Sequence, residues 1–137
     1  MTPLGLRLRN PFNLRPGKTP WLGQIRIAPG NYCEFDTEFH GLRAGFKQLL
    51  AYQFLHDCRS IRTIVTRWAP SIENNTKAYI DDVAQRLKIG ADDVMDLRDE
   101  HQLIELGRAM IRHEQGQQPF SDVRLREAAD AALGIQS

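Results

Sequence analysis

The chain has 137 residues, of which 42% are hydrophobic and 26% are charged, a composition typical of a globular domain and not of a disordered chain. Its 18 basic and 17 acidic residues leave a formal net charge of +1, which gives no reason to expect a nucleic-acid-binding protein. Cys33 and Cys58 lack the spacing of zinc ligands, and no apolar run approaches the length of a membrane span. We therefore expect no metal site, no cofactor and no membrane anchor.

The first 36 residues are rich in proline and glycine, which excludes a long helix because each proline removes a backbone donor and clashes with the preceding turn. Within them, Trp21–Ile27 and Tyr32–Phe35 have the pattern of short strands, joined by a turn at residues 28–31. The sequence thus predicts a small hairpin. The first 26 residues also contain five Lys or Arg side chains and no acid, which fits either docking on an anionic polymer or a plain solvated surface.

Residues 37–137 have helical periodicity, and cap and stop signals divide them into five helices. In chain order these run from Thr37 to about His56, from Ser60 to a stop at Pro70, from Asn74 or Asn75 to a stop at Gly90, from about Asp99 to His113, and from Asp122 to Leu133. The predicted fold class is α+β and mostly helical, with residues 1–137 forming a single domain.

Glu114 is the most informative residue of the sequence. It follows Leu103, Gly107 and Met110 on one face of the predicted fourth helix and lies at the end of that helix. A carboxyl group beside an apolar seam loses water, which raises its pKa toward the value that a general acid needs at neutral pH. Such a position is typical of a glutamate that protonates a glycosidic oxygen, although an exposed glutamate at an ordinary helix end has the same pattern.

The segment His113-Glu114-Gln115-Gly116, with Pro119 and Ser121 after it, resembles the catalytic segment of lytic transglycosylases. The resemblance implies a lysozyme-like fold in which Glu114 is the catalytic acid and in which His113 and Ser121 lie near the substrate.

A second series of motifs runs through most of the chain. It comprises Arg9-Asn10-Pro11-Phe12-Asn13-Leu14-Arg15, Trp21-x-Gly23, Phe35-Asp36-Thr37, Gly41-Leu42-Arg43-Ala44, Arg67-Trp68-Ala69-Pro70 and Glu73-Asn74-x-Thr76-x-x-Tyr79. This series is similar to a family of small phage and prophage proteins that are often described as virion structural proteins. Its N-terminal part also resembles the region of cell-wall glucosaminidases that follows their catalytic glutamate helix.

In this chain the helix that ends at Glu114 comes after the hairpin instead of before it. A lysozyme-like fold with a circularly permuted order explains this arrangement. It predicts that the Glu114 carboxyl shares one cleft with the strand Tyr32–Asp36, and a structure with the two on opposite faces would contradict it.

Other acids could take part in that cleft. Glu34 and Asp36 are two residues apart, so on a strand both point to one face, where either could be the second carboxylate or part of a solvent-facing acidic edge. Glu73 is the main rival to Glu114 for the catalytic acid, although residues at a helix start usually satisfy backbone amides. His40 and His113 could assist proton transfer.

Aromatic residues could stack on sugar faces. Trp21, in a loop rich in Gly and Pro, is the better candidate, whereas Trp68 belongs to the apolar stripe of its helix and is predicted to lie in the core. The residues predicted to contact substrate are Trp21, Tyr32, Asn10, Asn13, His113 and Ser121.

Together these patterns predict a phage-type enzyme that degrades peptidoglycan by cleaving its glycan strand, either as a muramidase or as a lytic transglycosylase. The alternative is a non-catalytic virion structural protein that binds the cell wall or another virion protein. The N-terminus has no apolar segment of the kind found in export signals. We therefore expect either a virion component or a protein of the host cytoplasm that reaches the periplasm through a holin.

Overall fold

The structure, a computed structural model, describes residues 2–70 and 73–135, with only the backbone described for Glu73 and Asn74. Within these residues the fold is α+β and mostly helical, as predicted. The elements in chain order are α1 (Leu4–Arg7), β1 (Gln24–Ala28), β2 (Tyr32–Phe35), α2 (Glu38–His56), α3 (Ile61–Trp68), α4 (Glu73–Leu87), α5 (Glu100–Gln115) and α6 (Asp122–Leu133).

The predicted hairpin is present. β1 and β2 are antiparallel, with Gln24 opposite Phe35 and Ala28 opposite Tyr32, and a bulge interrupts the register after Gln24. Asn31 in the connecting turn has a φ of 66°. β1 begins at Gln24 and not at Trp21, because Trp21 starts a turn in which the Gln24 amide donates to the Trp21 carbonyl at 3.0 Å.

Local capping accounts for the starts of α2, α3, α5 and α6. The Thr37 side chain accepts a hydrogen bond from the His40 amide, and Ser60 forms a capping box with Thr63. The side chains of Asp99 and Ser121 cap α5 and α6 by accepting a hydrogen bond from a backbone amide, as Thr37 does. These starts were predicted from the sequence.

Two features of the helices differ from the prediction. The four-residue helix α1 was not predicted, since it lies in a region where proline and glycine obscure any periodicity. The α4 helix ends at Leu87, and Lys88 has the left-handed backbone conformation (φ 58°) that was expected of Gly90.

The core surrounds α2, which packs against α3, α5, α6 and β2. Phe54 of α2 lies outside this core, as it is 48% exposed and lies beneath the guanidinium of Arg98. No helix of the described part of the chain is both long and apolar enough to cross a membrane.

Phe12 fastens the N-terminal segment to the helices. Its ring is fully buried and meets the ring of Phe46 edge-on, with the centroids 5.5 Å apart. A Cβ atom at Gly45 would overlap the Phe12 ring, and a Cβ at Gly107 would overlap the Phe46 ring. The absence of side chains at these two positions on α2 and α5 therefore lets the aromatic pair approach both helices, which brings Asn13 beside the end of α5.

Candidate functional site

Glu114 lines a cleft of about 500 Å³ that opens between the N-terminal region and the helices. We call it the Glu114 cleft. Its walls come from the N-terminal segment, the hairpin, α2 and the C-terminal ends of α3 and α5. The lining residues are Asn13, Leu14, Arg15, Gly17, Tyr32, Gln48, Tyr52, Trp68, Ala69, Pro70 and Glu114.

The Glu114 carboxyl lies in the last turn of α5, and Gly116, with a φ of 72°, is the C-cap of that helix. Glu114 is half-buried. Burial raises the pKa of its carboxyl above the ordinary value. Four neighbours oppose that shift: the Asn13 amide that donates to the carboxyl, the Tyr79 hydroxyl, and the positive charges of His113 and Arg15. A carboxyl in this environment holds its proton to a higher pH than a solvated glutamate.

Asn13 fixes the orientation of this carboxyl. Its Nδ2 donates to Glu114 Oε1 at 2.9 Å, while its Oδ1 accepts a hydrogen bond from Gln115 Nε2 at 2.9 Å. The buried Gln115 amide also donates to the Pro11 carbonyl at 2.9 Å. Asn13 is held in the left-handed backbone region, with a φ of 54°. The N-terminal segment and the end of α5 are therefore joined by a continuous set of hydrogen bonds.

A second group of side chains lies behind Glu114, between α4 and α5. The ring of Tyr79 stacks on that of His113, with the centroids 3.9 Å apart, and His113 Nδ1 lies 2.8 Å from Asp82 Oδ2. The Tyr79 hydroxyl is buried, and it is close enough to Glu114 for each group to shift the pKa of the other. Burial is the largest cause of the raised pKa of Tyr79.

Aromatic rings form the wall of the cleft. Tyr52 and Trp68 meet edge-on with centroids 5.6 Å apart, and the ring of Trp68 also packs 5.9 Å from that of Phe12. Tyr32, on the hairpin, has the guanidinium of Arg15 over its ring at 4.4 Å. Such rings present the flat apolar faces on which sugar rings and other planar or apolar groups stack.

The predicted proximity of Glu114 to the hairpin strand is present at one end of that strand. Tyr32 and Glu114 line the same cleft. Glu34 and Asp36, however, do not line it. Glu34 pairs with Arg26 at 2.6 Å, and Asp36 pairs with His40 at 2.7 Å, so each of these carboxylates already has a basic partner on the surface.

The other predicted site residues are spread over the molecule. Asn10 is fully buried, and its amide bonds to the backbone of Leu14 and Cys33, so it supports the segment from within. Trp21 packs against the core outside the Glu114 cleft, and Ser121 caps α6 beside a different groove. The side chain of Glu73 lies outside the described residues.

Trp68 is placed differently from the prediction. It is half-buried and lines the Glu114 cleft, because α3 ends there and leaves one edge of the indole uncovered. Sequence reasoning also missed Arg15, Gln48 and Tyr52. The spacing of Gln48 and Tyr52 puts them on one face of α2, but no local signal shows that this face meets the end of α3.

No family model matches the chain. Protein P5 of Pseudoalteromonas phage PM2 is 36% identical to it over an alignment of 121 residues, and the match covers 85% of this chain and 74% of the relative. The chain belongs to the family of that phage protein. A phage protein family was also what the motifs in residues 9–79 predicted. Among the described side chains of this family member, no group of three or more His, Cys, Asp or Glu residues could hold a metal ion.

Proposed function

We propose that this phage protein cleaves the glycan strand of bacterial peptidoglycan, with Glu114 as the general acid. The observation that carries the proposal is the position of a glutamate with a raised pKa in a cleft walled by aromatic rings. A general acid needs a pKa near the working pH, so that it is protonated before the reaction and still able to give up its proton.

The chemistry would begin with transfer of the Glu114 proton to the glycosidic oxygen as the bond to the anomeric carbon breaks. Because Oε1 accepts the hydrogen bond from Asn13, Oε2 would carry the proton that is transferred. Tyr52 and Trp68 would stack on neighbouring sugar rings and fix the bond beside the acid. Muramidases and lytic transglycosylases share this first step, and the proposal covers both.

Turbidity loss of purified Gram-negative cell walls tests the proposal. We expect the wild-type protein to clear the walls and Glu114→Gln to slow the clearing strongly, because the amide keeps the size of the side chain but cannot act as a general acid. Glu105→Gln, on the same helix and outside the Glu114 cleft, is the matched control and should retain activity. Glu73→Gln belongs in the same assay, since activity lost there and kept in Glu114→Gln would transfer the acid role to Glu73.

A non-catalytic virion structural protein is the second candidate. Three large apolar side chains near the hairpin, Leu22, Ile25 and Ile27, are 60%, 57% and 54% exposed, and such residues often contact another protein. Binding of the wild-type protein to cell walls without any clearing would favour this function.

The proposed reaction needs neither a metal nor an organic cofactor. We propose a single lysozyme-like domain with a permuted order, which acts as a virion component or reaches the wall through a holin. Antibody detection of the protein in purified virions distinguishes these two routes.

A further inference from the structure

We infer that Arg15 forms a subsite for a carboxylate carried by the glycan, so that the Glu114 cleft prefers acidic over neutral sugar chains. The inference rests on the proposed function and names the class of glycan that the cleft accepts.

The guanidinium of Arg15 is held in place by the hairpin. Its Nη1 donates to the carbonyl oxygens of Gly30 and Asn31 at 2.8 and 3.4 Å, and its Nη2 donates to the Tyr32 hydroxyl at 3.2 Å. It also lies over the Tyr32 ring, 4.4 Å from the centroid. Although the residue is exposed, four contacts restrain its charged end, so less side-chain entropy is lost when an anion binds.

These contacts leave part of the guanidinium free. Of its five N–H donors, the Nη1 pair and one on Nη2 have partners, and no described residue accepts from Nε or from the second Nη2 hydrogen. Nε and Nη2 lie along one edge of the guanidinium plane. Two parallel N–H groups on such an edge match the two oxygens of a carboxylate.

The charges of the cleft favour an anion at this point. Among the described residues that line it, Arg15 is the only base and Glu114 the only acid. When Glu114 carries its proton, as the proposed reaction requires, the cleft has one uncompensated positive charge. A substrate carboxylate on Arg15 would balance that charge.

The same pairing would assist the acid. The positive charge of Arg15 lowers the pKa of Glu114 and so works against protonation. A carboxylate bound to Arg15 would offset that effect, so that the acidic glycan itself would favour the protonated form of Glu114. Ligand selection and acid function would then be coupled through one side chain.

Peptidoglycan offers two sources of such a carboxylate. One is the lactyl ether of its muramic acid residues, which is free when no peptide is attached, and the other is the peptide stem. Both present the same chemistry to Arg15, and the two sources are separated by using glycan strands with and without stems.

The test measures binding by calorimetry in the Glu114→Gln background, in which the proposed cleavage cannot consume the ligand. The probes are stem-free glycan strands with free lactyl carboxylates, the same strands as methyl esters, and strands that retain their stems. We expect one of the two acidic strands to bind about tenfold more tightly than the ester, or about 1.4 kcal/mol. Added salt should reduce the difference.

Substitutions then assign the preference to Arg15. Arg15→Gln should remove the difference between acid and ester, and Arg15→Lys, which keeps the charge but not the two-donor edge, should retain part of it. Arg26→Gln is the matched control, because Arg26 lies on the hairpin that Arg15 contacts but pairs with Glu34 outside the cleft. The control should keep the full preference.

An unchanged preference in Arg15→Gln, or equal binding of acid and ester by the intact cleft, would overturn the inference. Cell-wall clearing by the otherwise wild-type protein is measured in parallel. Clearing without a carboxylate preference rejects the Arg15 subsite alone, whereas an Arg15-dependent preference without clearing keeps the subsite and rejects the enzymatic function.

Discussion

Two glutamates at opposite ends of α5 both have raised pKa values, for different reasons. The pKa of Glu100, in the first turn, is raised mainly by the neighbouring carboxyl of Asp130 on α6, and Arg126 Nε lies 3.8 Å from Glu100 Oε1. Glu114, in the last turn, is shifted mainly by burial in the wall of an aromatic cleft. Ion networks that only join helices perturb pKa values as functional sites do. The surroundings of the carboxyl, and not the shift itself, therefore distinguish the two.

The largest expected difference between the two ends is in activity. Glu114→Gln should lower the rate of cell-wall clearing by about 10²- to 10⁴-fold, the usual contribution of a general acid, while Glu100→Gln should stay within about twofold of wild type. Initial rates at equal protein concentration measure both. A comparable loss of clearing rate in Glu100→Gln would contradict this comparison, because it would mean that both glutamates of α5 are needed for activity.

The next largest effect is expected in the free energy of unfolding. Of the two ends of α5, only the end that carries Glu114 depends on contacts with the N-terminal segment. Asn10 bonds three times to buried backbone groups of that segment and of β2. Asn10→Ala should therefore cost about 2–5 kcal/mol in the free energy of unfolding, since the groups it leaves are buried. Urea denaturation gives the value, and a cost below about 1 kcal/mol would show that the segment is held by its other contacts without Asn10.

A smaller effect is expected in the pH dependence of stability. The pKa of Glu114 is higher in the folded protein than in the unfolded chain. Between these two pKa values the folded protein binds more protons than the unfolded chain, so the free energy of unfolding falls as the pH rises through this range. Glu114→Gln should remove this loss and raise the melting temperature near pH 7, where 1 kcal/mol corresponds to roughly 2–8 °C. The gain should disappear below the unfolded pKa. Glu100→Gln should gain less, because Glu100 is more solvated.

The smallest predicted effect concerns Tyr79. Its hydroxyl lowers the pKa of Glu114, so Tyr79→Phe should raise that pKa further and move the alkaline limb of the pH–activity profile to higher pH. Glu100→Gln is the control and should leave the limb in place. A limb that moves to lower pH in Tyr79→Phe would show that the hydroxyl favours the protonated acid instead.

The helical part of the fold could be predicted because its determinants are local. Thr37, Ser60 and Ser121 each accept a hydrogen bond from an amide only three residues away, so the residue type and its position indicate the helix start. Glu114 was predictable for a similar reason, as its place on the apolar face of α5 follows from helical spacing.

The rest of the cleft was not predictable from local patterns. The contacts of Asn13 with Glu114 and Gln115 span 101 and 102 residues, and they depend on how Phe12 packs between α2 and α5. Trp68 has the sequence pattern of a core residue, and only the position of its helix end exposes it to the cleft. Trp21 has the pattern of an open loop, but the turn at residues 21–24 folds it onto the core.

The most direct test of the central claim is a carboxyl-carbon NMR titration of Glu114 and Glu100 in one sample, with and without a neutral N-acetylglucosamine oligomer. We predict that both carboxyls titrate above the ordinary glutamate pKa, and that the oligomer changes the pKa of Glu114 while that of Glu100 stays the same. A Glu114 pKa in the ordinary range, or an oligomer effect on Glu100 and not on Glu114, would contradict the assignment of the glycan cleft to the C-terminal end of α5.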